Sequence, residues 1–347
     1  MSTRREFFGA TVISAASVVG LSFRVHADDK AGTKPVVIGS GEYQYECQHN
    51  WGELPAKIRW QTTHGVAVDS TGLIYITHQG HGNDPMDTVV VFDPNGKFVR
   101  SFRKDDYPGG HGIDIRRDGN EEFLYLSDVY HRQVIKTTLK GEEVWKLCYP
   151  AEARVYQRVK QFSPTNVAFA PDGGFYIGDG YGSHYIHQYD KDLRWIRTWG
   201  GAGKEPGKMQ TPHGLWLDNR PGREPSLVVA DRANARLQYF SLDGKHLSFL
   251  NEVLFPAHFD IRGDVLLVPD LHARVSLFGK NNEVIAHLGD DSAWIAEVKK
   301  MKIRNDPKAW PDGKFVHPHD ACFDADGNIF VAEWVQTGRV TKLKKVA

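Results

Sequence analysis

The chain has 347 residues, with 43 basic and 43 acidic side chains and three cysteines. Zero net charge removes any electrostatic argument for nucleic acid or a membrane surface as partner. Cys47, Cys148 and Cys322 allow one disulfide at most, and the strand assignment below places them on separate strands, so none is expected.

Residues 1–27 read as a leader. Arg4-Arg5 and Phe7 precede the small-residue apolar run "GATVISAASVVGLSF", and Val25-His26-Ala27 offers a cleavage site. The paired arginines make it a twin-arginine signal, so a periplasmic or secreted protein is expected. The run is too short for a membrane anchor, and nothing after it reaches the length of a spanning helix.

From there a unit of four short strands recurs about every 45–50 residues, the spacing of propeller blades. Blade one reads "HGVAVD", "GLIYITH", "DTVVVFD", "KFVRSF", and blade two "HGIDI", "EFLYLSD", "QVIKTT", "EVWKL". Blades three, four and five open on "NVAFA", "HGLWLD" and "HFDIRG" and follow the same order. The runs are β-branched and aromatic, and turns such as "DPNG" and "DADG" separate them. Blade six, "HDACFD", "NIFVAE", "RVTKLKK", lacks a fourth strand, while "EYQYECQHNWG" stands spare ahead of blade one. The expected fold is all-β: one six-bladed β-propeller over 28–347, its ring closed by the N-terminal strand completing the last blade. Two longer segments, "PAEARVYQRVKQF" and "DDSAWIAEVKKMKIRNDPKAWPDGK", carry helical character.

The first strand of each blade lines the channel, and the residues opening it are His64, His111, Asn166, His213, His258 and His319. Alternate blades of a six-fold ring are about 120° apart. Blades two, four and six therefore converge His111, His213 and His319 with trigonal geometry, whereas the other trio is broken by Asn166. Three imidazoles leave a tetrahedral metal one open position, the pattern of a catalytic zinc site. The second strands end in Asp128, Asp179, Asp231, Asp270 and Glu333, acids suited to bonding loop amides. Tyr181 and Arg232 follow two of them and can lean over that position.

The segments "HGVAVD", "GDGYG", "WGGAGKEPGKMQTPHG", "VADRANARLQYF" and "HPHDACFDADG" resemble NHL-repeat propellers, and among them the peptidyl-α-hydroxyglycine α-amidating lyases. The resemblance spans the mature chain. It implies zinc on His111, His213 and His319, a catalytic tyrosine at Tyr181 and an active-site arginine at Arg232. It also implies a structural calcium on the Val66 and Ile113 carbonyls and Asp320. Two positions depart from the family. Gln79 stands where the family has a second active-site arginine. His317 stands where the animal enzymes have methionine, adding a fourth ligand or a proton carrier. The implied reaction cleaves the C–N bond of a carbinolamide to an amide and glyoxylate. A peptide or small-molecule substrate, a monomer and no membrane contact after leader removal are expected. Two other readings stay open: a metal-dependent lactone or ester hydrolase in the same channel, and a non-catalytic propeller binding a protein or glycan.

Overall fold

A computed structural model describes residues 35–80, 86–103 and 107–346; the leader expected over 1–27 lies outside them. From Val36 onward the chain forms six antiparallel sheets. Five have four strands, beginning with the innermost at Thr63–Val68, Gly112–Asp118, Val167–Phe169, Pro212–Asp218 and Asp260–Arg262. The sixth joins the two ends of the chain. Pro318–Phe323, Ile329–Glu333 and Arg339–Lys345 are followed outward by Tyr43–Gln48, with Cys47 opposite Leu343 and Tyr45 opposite Lys345. A further strand, Val37–Ser40, lies outside it, beyond the four anticipated. Among the described residues no helix is long and apolar enough to cross a membrane, and the three cysteines are free.

Strand alternation explains how one sheet serves two neighbours. In blade one, Ile74 and Ile76 pack on Phe330, Ala332 and Val340 of blade six. Tyr75, between them, packs with Ile113, Leu124 and Leu126 of blade two. The same division recurs round the ring: Leu227 and Val229 meet blade three, and Val228 and Ala230 meet blade five. The core is thus a ring of interfaces between blades, and its axis is left to polar residues.

The acids closing the second strands bond loop amides as anticipated. Asp270 accepts from the N–H groups of Leu254, Phe255 and His272, and Glu333 from that of Val316. The two inserts differ. The later one forms a helix at Ser292–Lys299, its first amides capped by Asp291. The earlier one makes only 3-10 turns at Ala151–Ala153 and Val159–Gln161, because Arg154 is left-handed (φ 53°) and stops propagation.

One buried ion pair ties blade four to blade five. Arg220 donates to both Asp218 oxygens, at 2.9 and 2.6 Å, and to the Gly279 carbonyl and Asn282 Oδ1, each at 2.6 Å. Both side chains are fully buried. Arg220→Ala strands the carboxylate without its partner, and a loss of about 3–5 kcal/mol is expected. Urea unfolding measures it; a loss below ~1 kcal/mol would mean that water or Arg223 takes over.

Candidate metal centre and active site

The inner strands bring four histidines to the axis at one mouth of the channel. Ring centroids of His111 and His213 are 4.9 Å apart, of His213 and His319 4.7 Å, and of His111 and His319 4.9 Å. His64 joins them, 5.1 Å from His111 and 4.9 Å from His319. The inner strands of blades one, four and six shift register at His64, His213 and His319, and such a bulge re-aims a side chain. All four rings are buried. His64, His111 and His319 hold candidate ligand atoms within 4.8 Å of one another and could bind a metal ion. Symmetry had set His64 apart; the structure places it beside the trio. His258 goes elsewhere, to Asp114 at 3.1 Å.

Hydrogen bonding separates the trio from His64. His111 Nδ1 donates to the Thr165 carbonyl (3.0 Å), His213 Nδ1 to Ala257 (2.8 Å) and His319 Nδ1 to His64 (2.9 Å). Each acceptor belongs to the next blade. His64 Nδ1 instead donates within its own blade, to Thr62 (3.1 Å). A carbonyl can only accept, so in every ring Nδ1 holds the proton and Nε2 presents a lone pair. Burial drives the pKa of all four below the ordinary value, that of His111 to about 3, so the rings are neutral. Even so, His111 Nε2 and His213 Nε2 stand 3.2 Å apart, and His319 Nε2 is buried without a protein partner. Inward-facing lone pairs on buried rings are an arrangement that can hold a cation.

The His-Gly dipeptides follow from the same geometry. A Cβ on Gly112 would lie 2.4 Å from the Thr165 carbonyl oxygen, and one on Gly214 would lie 2.5 Å from that of Ala257. These are the oxygens that orient His111 and His213. Gly214→Ala should therefore displace the Ala257 carbonyl and weaken metal binding on the 10–100-fold scale of a lost outer partner. Competition with a chromogenic chelator reads this directly; unchanged affinity would deny that carbonyl an orienting role.

Tyr181 and Arg232 meet at the cluster. The tyrosine hydroxyl lies 3.1 Å from His213 Nε2 and 3.4 Å from His111 Nε2, with its ring 45% exposed to the mouth. Buried Arg232 donates from Nη1 to that hydroxyl at 3.1 Å and from Nε to the Pro256 carbonyl at 3.3 Å, while Nη2 has no partner. Asp179 holds the tyrosine's loop by accepting from the Ser163 and Ser183 amides and the Tyr156 hydroxyl. Gln79 is half-buried, its N–H bonded to the Thr62 carbonyl at 2.9 Å. His317 is buried, its Nδ1 on the Leu271 carbonyl at 2.7 Å and its ring edge-on to Trp334. Burial lowers its pKa to about 4, so it carries no charge at neutral pH. It is not among the rings that meet at the axis.

At the other end of the inner strands a cavity of about 390 Å³ is lined by Val66, Ile113, Asp114, His258, Asp260 and Asp320, among others. Asp320 accepts from the Val66 and Ala321 amides at 2.9 and 2.8 Å. Asp114 Oδ2 is buried with no partner.

Fold and site define a six-bladed β-propeller with a buried histidine cluster that can hold a metal ion. In sequence the chain resembles the amidating enzymes of animals. It is 29% identical to the peptidylglycine alpha-amidating monooxygenase of Rattus norvegicus over 327 residues, 85% of this chain and 31% of that protein. It is 31% identical to the peptidyl-glycine alpha-amidating monooxygenase of Mus musculus over 78% of this chain and 29% of that protein. It is 25% identical to the peptidyl-alpha-hydroxyglycine alpha-amidating lyase 1 of Drosophila melanogaster over 71% of this chain and 47% of that protein. The chain thus spans less than a third of the two mammalian relatives and about half of the fly lyase. No protein-family model matches it. Among solved structures, a gluconolactonase from Xanthomonas campestris superposes with a TM-score of 0.59 at 12% identity, covering 90% of this chain and 96% of its own. The virginiamycin B lyase of Staphylococcus aureus, with quinupristin, gives 0.54 at 13%, covering 87% and 100%. These two share the fold alone.

Proposed function

We propose that the chain is an exported, zinc-dependent lyase that cleaves the C–N bond of an α-hydroxyglycine, releasing an amide and glyoxylate. The observation that carries this reading is the Tyr181 hydroxyl set between two histidine Nε2 atoms and the Arg232 guanidinium. His111, His213 and His319 would hold the zinc. Two nitrogens about 2.0–2.1 Å from one tetrahedral zinc lie roughly 3.3 Å apart, close to the 3.2 Å between His111 and His213 Nε2. When bound, zinc supplies a Lewis acid for the substrate hydroxyl.

The remaining chemistry falls to side chains. As a phenolate paired with the Arg232 Nη1 donor, Tyr181 Oη takes the substrate hydroxyl proton as general base. As the carbon–oxygen double bond forms, the C–N pair leaves with the amide nitrogen. The proton held on Tyr181 Oη is delivered to that nitrogen, which balances the reaction. Val66, Ile113 and Asp320 would hold a calcium ion at the far end of the channel, where a carboxylate and main-chain oxygens suit a hard cation. The expected setting is the periplasm or outside the cell, reached by the twin-arginine pathway, with the protein acting as a monomer on a peptide or small molecule.

The test is glyoxylate release from a synthetic α-hydroxyglycine peptide by protein of measured zinc content. Zinc-loaded protein that releases none overturns the lyase reading.

A further inference from the structure

Arg232 spends Nη1 on the phenol and Nε on a carbonyl and has only Nη2 unpaired, so a fork with both outer nitrogens open to a substrate carboxylate needs another cation. The second insert supplies one. Arg304 lies in the turn Ile303–Asn305, which is anchored through Ile303 and Trp310 to a buried cluster of Ala273, Val298, Val316 and Val335. Its Nε donates to the Trp334 carbonyl at 2.8 Å, and its guanidinium stacks 3.4 Å over the Trp334 ring. Trp334 in turn donates its N–H to the His317 carbonyl at 2.7 Å, two residues before His319. The plane of the guanidinium is thus fixed beside the cluster.

What remains of Arg304 is free. Among the described residues no acceptor bonds its Nη1 or Nη2, and no carboxylate pairs with it. Partial burial lowers its pKa with no acid acting against that. Its charge is felt at His64 and His317, while that of Arg232 is felt at His111, His213 and His319. A planar fork held by stacking, with both outer nitrogens unpaired, is built for bidentate capture of a carboxylate.

We infer that Arg304 docks the α-carboxylate of the substrate, the group that the Gln79 side chain cannot pair by charge. The inference rests on the lyase reading for the substrate's chemistry and on the insert for its geometry. It makes the segment between blades five and six the part of the chain that selects acids over amides.

Calorimetry with N-benzoylglycine and N-benzoylglycinamide tests this on zinc-loaded protein without any turnover. Wild type should bind the acid more tightly than the amide. Arg304→Gln should weaken the acid by about ten- to a hundredfold, the range for a charge-assisted hydrogen bond, and leave the amide unchanged. Arg304→Lys should recover part of the loss, since charge returns without the fork. Lys302→Gln removes a positive charge from the same insert and should change neither affinity. Zinc content equal to wild type certifies each fold. Equal wild-type affinity for acid and amide overturns the inference, as does an acid affinity untouched by Arg304→Gln. The lyase reading fails separately, on glyoxylate release.

Discussion

His213→Ala is expected to empty the histidine cluster of metal. His213 contributes an Nε2 lone pair 3.2 Å from that of His111. The loss of affinity should exceed the 10–100-fold typical of removing an outer-shell partner. His111→Ala and His319→Ala should behave alike. His258→Ala should keep the metal, because that ring is bonded to Asp114. His64→Ala is the informative comparison. Its ring is within reach of a metal, yet its Nδ1 lacks the bond to the next blade that orients the other three. Metal retained by His64→Ala, measured by atomic emission after gel filtration, assigns the ligands to blades two, four and six. Metal lost there and kept by His213→Ala would move the site to His64, His111 and His319.

Tyr181→Phe is expected to reduce C–N cleavage by about 10²–10⁴-fold, the usual contribution of a positioned general base, at unchanged zinc content. The ring still fills its place at the mouth, and only the hydroxyl that meets Arg232 and the two histidines is lost. Single-turnover glyoxylate release with zinc quantified in the same sample is the measurement. Cleavage within a few fold of wild type would remove the tyrosine from the chemistry. Should wild type carry zinc yet cleave nothing, the hydrolase reading becomes the one to assay, with lactones and esters as substrates.

Much of the fold is legible in the sequence. The period-two alternation that sends Ile74 and Ile76 one way and Tyr75 the other is written in the strands, and so are the turns that count the blades. Six-fold symmetry picked out His111, His213 and His319 from equivalent positions. It set His64 apart, whereas that ring stands beside the trio, because symmetry treats each inner strand alike. Blade one lies between blades two and six, so its inner histidine neighbours two members of the trio. Arg304 was out of reach for a related reason. It sits in an insert with no counterpart in the other blades, so the repeat gives no phase for it. Only the stacking on Trp334 shows where its guanidinium lies.

The bond from His319 Nδ1 to the His64 carbonyl crosses the seam where the last blade meets the first. One of the three rings that define the proposed zinc site is therefore oriented by a residue 255 positions earlier in the chain. A nascent polypeptide still on the ribosome, with blade six untranslated, has neither that ring nor the strands that hold it against blade one. Binding at the proposed site would then wait for blade six to be made and the circle to shut, so metal binding would report completed folding rather than guide it.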